Sequence, residues 1–292
     1  MSRMEGNGVG SVTATVPRRR YPNVTADFRT FAALTVAGFR RYATYRQATF
    51  AGAFTNTVFG FLKCYVLLAV AAGAGAAVAG YDAPRLATFV WVGQGLLAVV
   101  LLWGWTDLAD RIRTGDVVAD LLRPVDPVVT YLATDVGRAG HAVLTRMLPP
   151  VVVGPLFFEV YVPHRWPTVP LFVASVALAT LICFCCRFLV NATGYWLLDV
   201  RGPMMLWAFV SGVLSGLYFP LRFLPDWLVG PLWVLTPLPS LFQTPLDVLV
   251  EVDPVPRQLT LVGIQAAWAA GLLALCRVVQ LRAERRLVVQ GG

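Results

Sequence analysis

Lysine is almost absent: the 292 residues contain one, Lys63, and only two histidines, His141 and His164. A nucleotide-binding Gly-Lys-Ser/Thr loop needs a lysine that reaches the phosphates from a glycine-rich turn. Here the lysine sits inside the apolar stretch "FLKCY", so the chain does not hydrolyse ATP by that chemistry. His-Glu-x-x-His is missing, and no serine occupies a Gly-x-Ser-x-Gly elbow, which removes two common hydrolase designs. Gly6, Gly8 and Gly10 alternate, but no third fingerprint glycine follows and no strand precedes them, so there is no dinucleotide signature. Five cysteines are scattered, with Cys183, Cys185 and Cys186 clustered beside Arg187. Their spacing resembles no zinc ligand set, and they read as small packing residues.

Charge is also scarce. Charged residues make up 14% of the chain and hydrophobic ones 57%, with a mean hydropathy of +0.66. A soluble domain carries about a quarter charged residues, and the apolar residues here gather into long blocks. The composition is that of an all-α integral membrane protein. The net charge of +8 does not mark a nucleic-acid binder, because the arginines lie between apolar blocks rather than on one face.

A crossing helix needs about 20 mainly apolar residues. Six segments qualify, at about 56–79, 86–106, 141–162, 169–191, 203–221 and 259–279. Trp91, Trp103 and Trp105 in the second suit the two interfacial belts. The third carries Pro149-Pro150, which predicts a kink. With both termini cytoplasmic, nineteen arginines fall inside and four (Arg85, Arg165, Arg222, Arg257) fall outside. Arginine-rich loops stay cytoplasmic, so this topology is preferred over its inverse. His141 and His164 then lie on opposite sides and cannot cooperate.

Residues 1–27 read as a flexible cytoplasmic tail, since the apolar run after Arg18-Arg19-Arg20 is too short for a cleaved signal. Residues 286–292 read as a second tail, leaving 28–285 as the membrane domain. Phe28 to Thr49 places aromatics near one helical face among arginines, the pattern of a helix lying in the cytoplasmic interface. Pro225 to Leu249 is apolar but broken by five prolines, which fits a re-entrant hairpin dipping in from outside between spans five and six.

One charged island interrupts the apolar sequence, "DRIRTGDVVADLLRPVDP" from Asp110 to Pro127. Asp116 and Asp120 lie one helical turn apart, but acid/base work needs a pocket that separates their pKa values, and a charged loop supplies none. The pattern instead predicts structure. A helix continues to Arg113 and breaks at Thr114-Gly115. Asp116 then caps a short helix bearing Val117, Val118, Leu121 and Leu122, which Arg123-Pro124 ends. A short amphipathic helix of this kind is a docking knob or a solvated loop.

"IRTGDVVADLLRPVDPVVTYLATDVGRAG" resembles the cytoplasmic loop of ABC-2-type transporter permeases of the bacterial, uncharacterised permease-component branch. "GYWLLDVRGPMMLWAFVSGVLSGLYFPLRFLPDWLVGPLWVLTPLPSLFQTPLDVLV" is similar to that family's fifth span and following re-entrant segment, by its Ser-Gly, aromatic-Pro-Leu, Leu-Pro-x-Trp-Leu and Pro-Leu-Pro elements. The likeness covers roughly residues 29–285. It implies the permease half of an exporter in the bacterial cytoplasmic membrane, paired with a second half (the same chain or a sister permease). Each half docks a separate ATP-binding subunit that carries ATP and Mg, while this chain binds no cofactor and no nucleic acid. Arg111, Arg113, Asp116, Asp120, Leu121, Leu122, Arg123 and Asp126 would form the coupling helix on that ATPase.

Further candidates follow within the same frame. Lys63, Gln94 and Asn191 are intramembrane polar groups, which line a pathway or bond a neighbouring helix; Lys63 could also snorkel to the cytoplasmic headgroups. Ser211, Gly212, Ser215 and Gly216 repeat the small-xxx-small spacing of close helix packing, between subunits or within one. Pro220, Pro225 and Trp227 belong to an outer gate, and membrane lipid is the remaining partner. A secondary transporter or channel is the rival reading, but it calls for internal repeats, and the two halves show none.

Overall fold

The computed structural model describes residues 28–44, 46–74, 77–197 and 199–285, and their regular structure is helical apart from one antiparallel bridge between Val78 and Tyr81. The expected tails at 1–27 and 286–292 lie outside the described residues. The chain opens with α1 (Phe28–Ala43), then α2 (Arg46–Ala74) and α3 (Ala83–Val100). Asp82 caps α3, its carboxylate accepting from Arg85 N at 3.0 Å. Two short helices, α4 (Asp107–Thr114) and α5 (Val117–Leu122), form a knob after α3.

The helix expected at 141–162 begins much earlier. It runs as α6 (Pro127–Ala142), a π-helical turn (Val143–Met147) and α7 (Leu148–Phe157), without a gap from 127 to 157. The π turn has a local cause: Pro149 and Pro150 lack N–H donors and their rings push on the carbonyls four residues back, so the ladder widens just before them.

Next come α8 (Thr168–Ala192), α9 (Arg201–Leu214), α10 (Asp226–Leu235), α11 (Gln243–Leu249) and α12 (Val255–Glu284). Among the described residues four stretches are long and apolar enough to cross a bilayer: 49–73, 83–100, 168–195 and 255–284. The chain is a multi-pass membrane protein. Its α9 is shorter than the span expected at 203–221. At 14 residues it measures about 21 Å against a hydrocarbon core of about 30 Å. Gly216, at φ +86°, turns the chain, and Pro220 prevents the helix from resuming.

The central helix is α3, buried along nearly its whole length. Trp91 sits within the core between Phe61 and Phe158, with ring centroids 5.0 and 5.8 Å away, so it is not the belt residue its position suggested. α8 and α12 pack together, with Ser175 Oγ donating to Gln265 Oε1 at 2.7 Å and Gln265 Nε2 donating to Ser240 O at 2.7 Å.

The first helix crosses α6 at Gly38 and Gly137, where a Cβ on Gly137 would lie 2.0 Å from the Thr35 carbonyl oxygen. Only hydrogen at both positions permits this approach. The helix expected to lie in the interface is therefore a packed one.

Candidate functional site

One ion pair braces the knob from within. The Arg111 guanidinium grips Asp120 with Nε 2.6 Å from Oδ2 and Nη2 2.9 Å from Oδ1, and a second Nη2 bond reaches Asp116 O at 3.2 Å. Tyr131, on α6, donates to Asp120 Oδ2 at 2.9 Å, and Arg123 approaches the same carboxylate at 3.6 Å. Burial works against the Arg111 charge, but the Asp120 carboxylate outweighs it and holds the guanidinium pKa above its ordinary value.

Gly115, at φ +82°, makes the turn between α4 and α5. Asp116 occupies the N-cap position of α5 as expected, yet its carboxylate accepts from Thr114 Oγ1 at 2.8 Å rather than from the helix amides. The working cap is Asp126, whose Oδ1 accepts from Val128 N at 2.8 Å and Val129 N at 3.3 Å to start α6. Arg113 pairs with Asp110 at 3.4 Å.

The knob shows its surroundings both charge and apolar surface: Asp110, Arg113, Asp116 and Arg123 stay exposed beside an apolar pair on α5. Val118 and Leu122, four residues apart on α5, are 38% and 68% exposed, while Val117 and Asp120 face inward and Leu121 is half-buried. A cleft of about 640 Å³ separates α4 from the start of α9, lined by Ile112, Arg113, Leu197, Asp199, Arg201 and Met204.

A second polar cluster fastens the knob to the bundle. Leu101, at φ +54°, ends α3 early, so residues 101–106 are not the helix end expected there. The freed carbonyls of Ala98 and Val99 accept from Arg138 Nη1 and Nη2 at 2.7 and 2.8 Å. Asp135 holds Arg138 Nε at 2.7 Å and Arg187 Nη2 at 2.9 Å, and Arg187 lies 5.6 Å from the centroid of the Trp105 ring. Asn191 completes the joint. Its Oδ1 accepts from Ala109 N at 3.1 Å, and its Nδ2 donates to Trp105 O at 3.0 Å and Arg187 O at 2.9 Å.

Lys63 Nζ donates to the Leu217 carbonyl, linking α2 to the turn after α9. Gln94 is buried midway along α3, and its backbone carbonyl accepts from Asn56 Nδ2 at 3.3 Å. Ser211, Gly212, Ser215 and Gly216 pack against their own chain: a Cβ on Gly212 would lie 3.1 Å from the Tyr218 ring, and Ser215 O accepts from Gln243 N at 2.9 Å. Pro220 is buried, Pro225 precedes α10, and Trp227 is exposed.

At the opposite end of α3 lies a network that the sequence did not single out. Asp247 accepts from Tyr81, from Gln243 Nε2 at 2.7 Å and from Arg222 Nε at 2.8 Å, while Arg222 also pairs with Asp253. Glu251, at φ +53°, accepts from Tyr161 Oη at 2.7 Å, Arg165 N at 2.8 Å, His164 N at 3.3 Å and the Thr168 hydroxyl. Burial alone would raise this carboxyl. The four donors outweigh it and bring its pKa down to about 2. The only signal in the sequence was local, such as Asp135 and Arg138 at i,i+3 in an otherwise apolar stretch. The partners of Asp247 and Glu251 lie up to 166 residues away.

The model of a family described as ABC-2 family transporter protein matches residues 56–291. No curated protein and no solved structure matches the chain.

Proposed function

The chain belongs to the ABC-2 transporter family, and from that premise we propose that it is the permease subunit of an exporter driven by ATP hydrolysis on a separate subunit, in the bacterial cytoplasmic membrane. The ATP and Mg reside on that partner, and a second permease half completes the pathway. In this reading α6 to α7 makes the third crossing and α9 with its turn the fifth. The pair α10 and α11 re-enters from outside, and both termini are cytoplasmic.

The observation that carries the proposal is the knob itself, a helical hairpin braced by Arg111 and Asp120, with Val118 and Leu122 exposed on α5, and tied to α6 through Asp120 and to α8 through Asn191. A solvated loop has no need of such bracing. A lever does. Nucleotide binding would close the partner ATPases, the knob would move with them, and the joint at Asn191 and Arg187 would pass that movement to α3 and α8. The energy that separates inward-open from outward-open states then comes from nucleotide rather than substrate.

The test is purification of the tagged chain from its native cells in mild detergent. A stoichiometric Walker-motif ATPase is expected with the wild-type chain and lost with Val118→Asp/Leu122→Asp, while the variant still folds. Recovery of active wild-type protein without any ATPase would sink the proposal in favour of a secondary transporter.

A further inference from the structure

The buried ion-paired group behind the knob does not balance its charge. Arg138 and Arg187 share one carboxylate, Asp135, at 2.7 and 2.9 Å, and all three side chains are no more than 4% exposed. Two guanidinium groups against one carboxylate leave a positive charge over. The two arginines are also served differently. Arg138 spends its donors on Asp135 and on the Ala98 and Val99 carbonyls. Arg187 gives only Nη2 to Asp135, and among the described residues its Nε and Nη1 have no hydrogen-bond partner. Buried donors on a charged group are costly to leave without an acceptor, so these two call for one. The Cys183 sulfur also faces this guanidinium, but its S–H donates to Leu101 O at 3.5 Å, so it is a neutral thiol and a weak acceptor. The Trp105 ring attracts the cation without carrying a charge of its own.

Arg187 lines a cavity of about 40 Å³ between the 102–106 loop, the end of α8 and the start of α9. Asn191, Thr106 and Trp207 line it too, and each is already bonded. Asn191 holds the joint described above, Thr106 Oγ1 donates to Asp110 Oδ2 at 2.8 Å, and Trp207 Nε1 donates to Leu102 O at 2.6 Å. Among the described residues no carboxylate lines the cavity. Trp103 and Gly104, also in the lining, are exposed. Such a volume holds a water or a monatomic ion and lies far below the roughly 300–1,000 Å³ of sites for organic ligands.

We propose that this cavity binds a chloride ion, with Arg187 Nε and Nη1 as its donors. Water would satisfy those donors but leave the buried charge uncompensated. A halide supplies the acceptor and the charge together. A sulfate or phosphate needs more room and brings more charge than the group lacks. The ion would hold the 102–106 loop against α8 beside the Asn191 joint, and would do so whether or not the knob docks an ATPase.

The full chain, purified in detergent with sodium gluconate, is titrated with sodium chloride at constant ionic strength while its melting temperature is followed. A ligand that binds the folded state raises that temperature along a saturating curve, and chloride and bromide should both do so. Arg187→Gln should abolish the rise. Because that variant also loses the Asp135 pair and can fail to fold, Val190→Leu provides the second test, adding volume at the cavity wall and removing no charge. It should weaken the apparent chloride affinity about tenfold or more, whereas Arg257→Gln should leave the curve unchanged. A melting temperature indifferent to chloride, a rise that never saturates, or a curve unaltered by Val190→Leu would each overturn the proposal and leave water as the partner of Arg187.

Discussion

Glu251 shows what a single residue does in this chain and why its role was hidden. Two side-chain hydroxyls and two backbone amides stabilise its charged form, lowering the pKa from the ordinary 4.5 to about 2. A depressed carboxyl contributes stability that is fully present above its unfolded value and is lost as pH falls through its folded value. The melting temperature of the purified protein should thus hold between pH 7 and 5 and decline as pH drops from about 4.5 towards 2. In Glu251→Gln the melting temperature should be lower at neutral pH and that part of the decline should vanish; an unchanged acid profile would remove Glu251 from this role. Asp120 is the contrasting case. Its place in a charged, structured island was legible from Thr114-Gly115 and Arg123-Pro124, but its burial against Tyr131 was not, because that contact depends on how α6 leaves the knob.

At the scale of elements, the glycines at 38 and 137 set the position of α1. Replacing Gly137 by valine puts a branched side chain onto the Thr35 carbonyl, and no side-chain movement relieves a backbone clash. Overpacking of this kind costs about 1–3 kcal/mol. Gly137→Val should expose α1 to an arginine-specific protease at Arg40-Arg41 while the remaining helices stay protected; unchanged digestion would mean that α1 is held by other contacts. The amphipathic pattern was readable because it needs only local spacing, but the single helix expected from 28 to 49 is divided: α1 ends at Ala43, and residues from Arg46 on belong to α2. That the face of α1 meets another helix through glycine was not readable, because a glycine in a sequence does not announce what approaches it. The same applies to α9, whose apolar stretch suggested helix as far as 221 and which ends at Leu214, just before the turn at Gly216.

For the whole molecule, the proposed topology places the knob and the segment carrying Trp227 on opposite sides of the membrane. All five cysteines are buried, so a membrane-impermeant thiol reagent should leave the wild type unmodified. Val118→Cys should then react only in inside-out vesicles and Trp227→Cys only in right-side-out ones. Labelling of both from one side would refute the six-span arrangement.

Composition and periodicity determined by themselves that this is a helical membrane protein with a charged, structured hairpin after its second apolar block. Those conclusions follow from solvent preference and from contacts within a few residues, both of which are local properties. Tertiary structure alone decided how the hairpin is braced, that Lys63 meets a backbone carbonyl, and that Asp247 and Glu251 are satisfied by donors from distant helices. Buried polar groups in an apolar surrounding must find partners wherever the fold brings them. Which partners they find depends on the crossing of helices, and that crossing is a property of the packed chain.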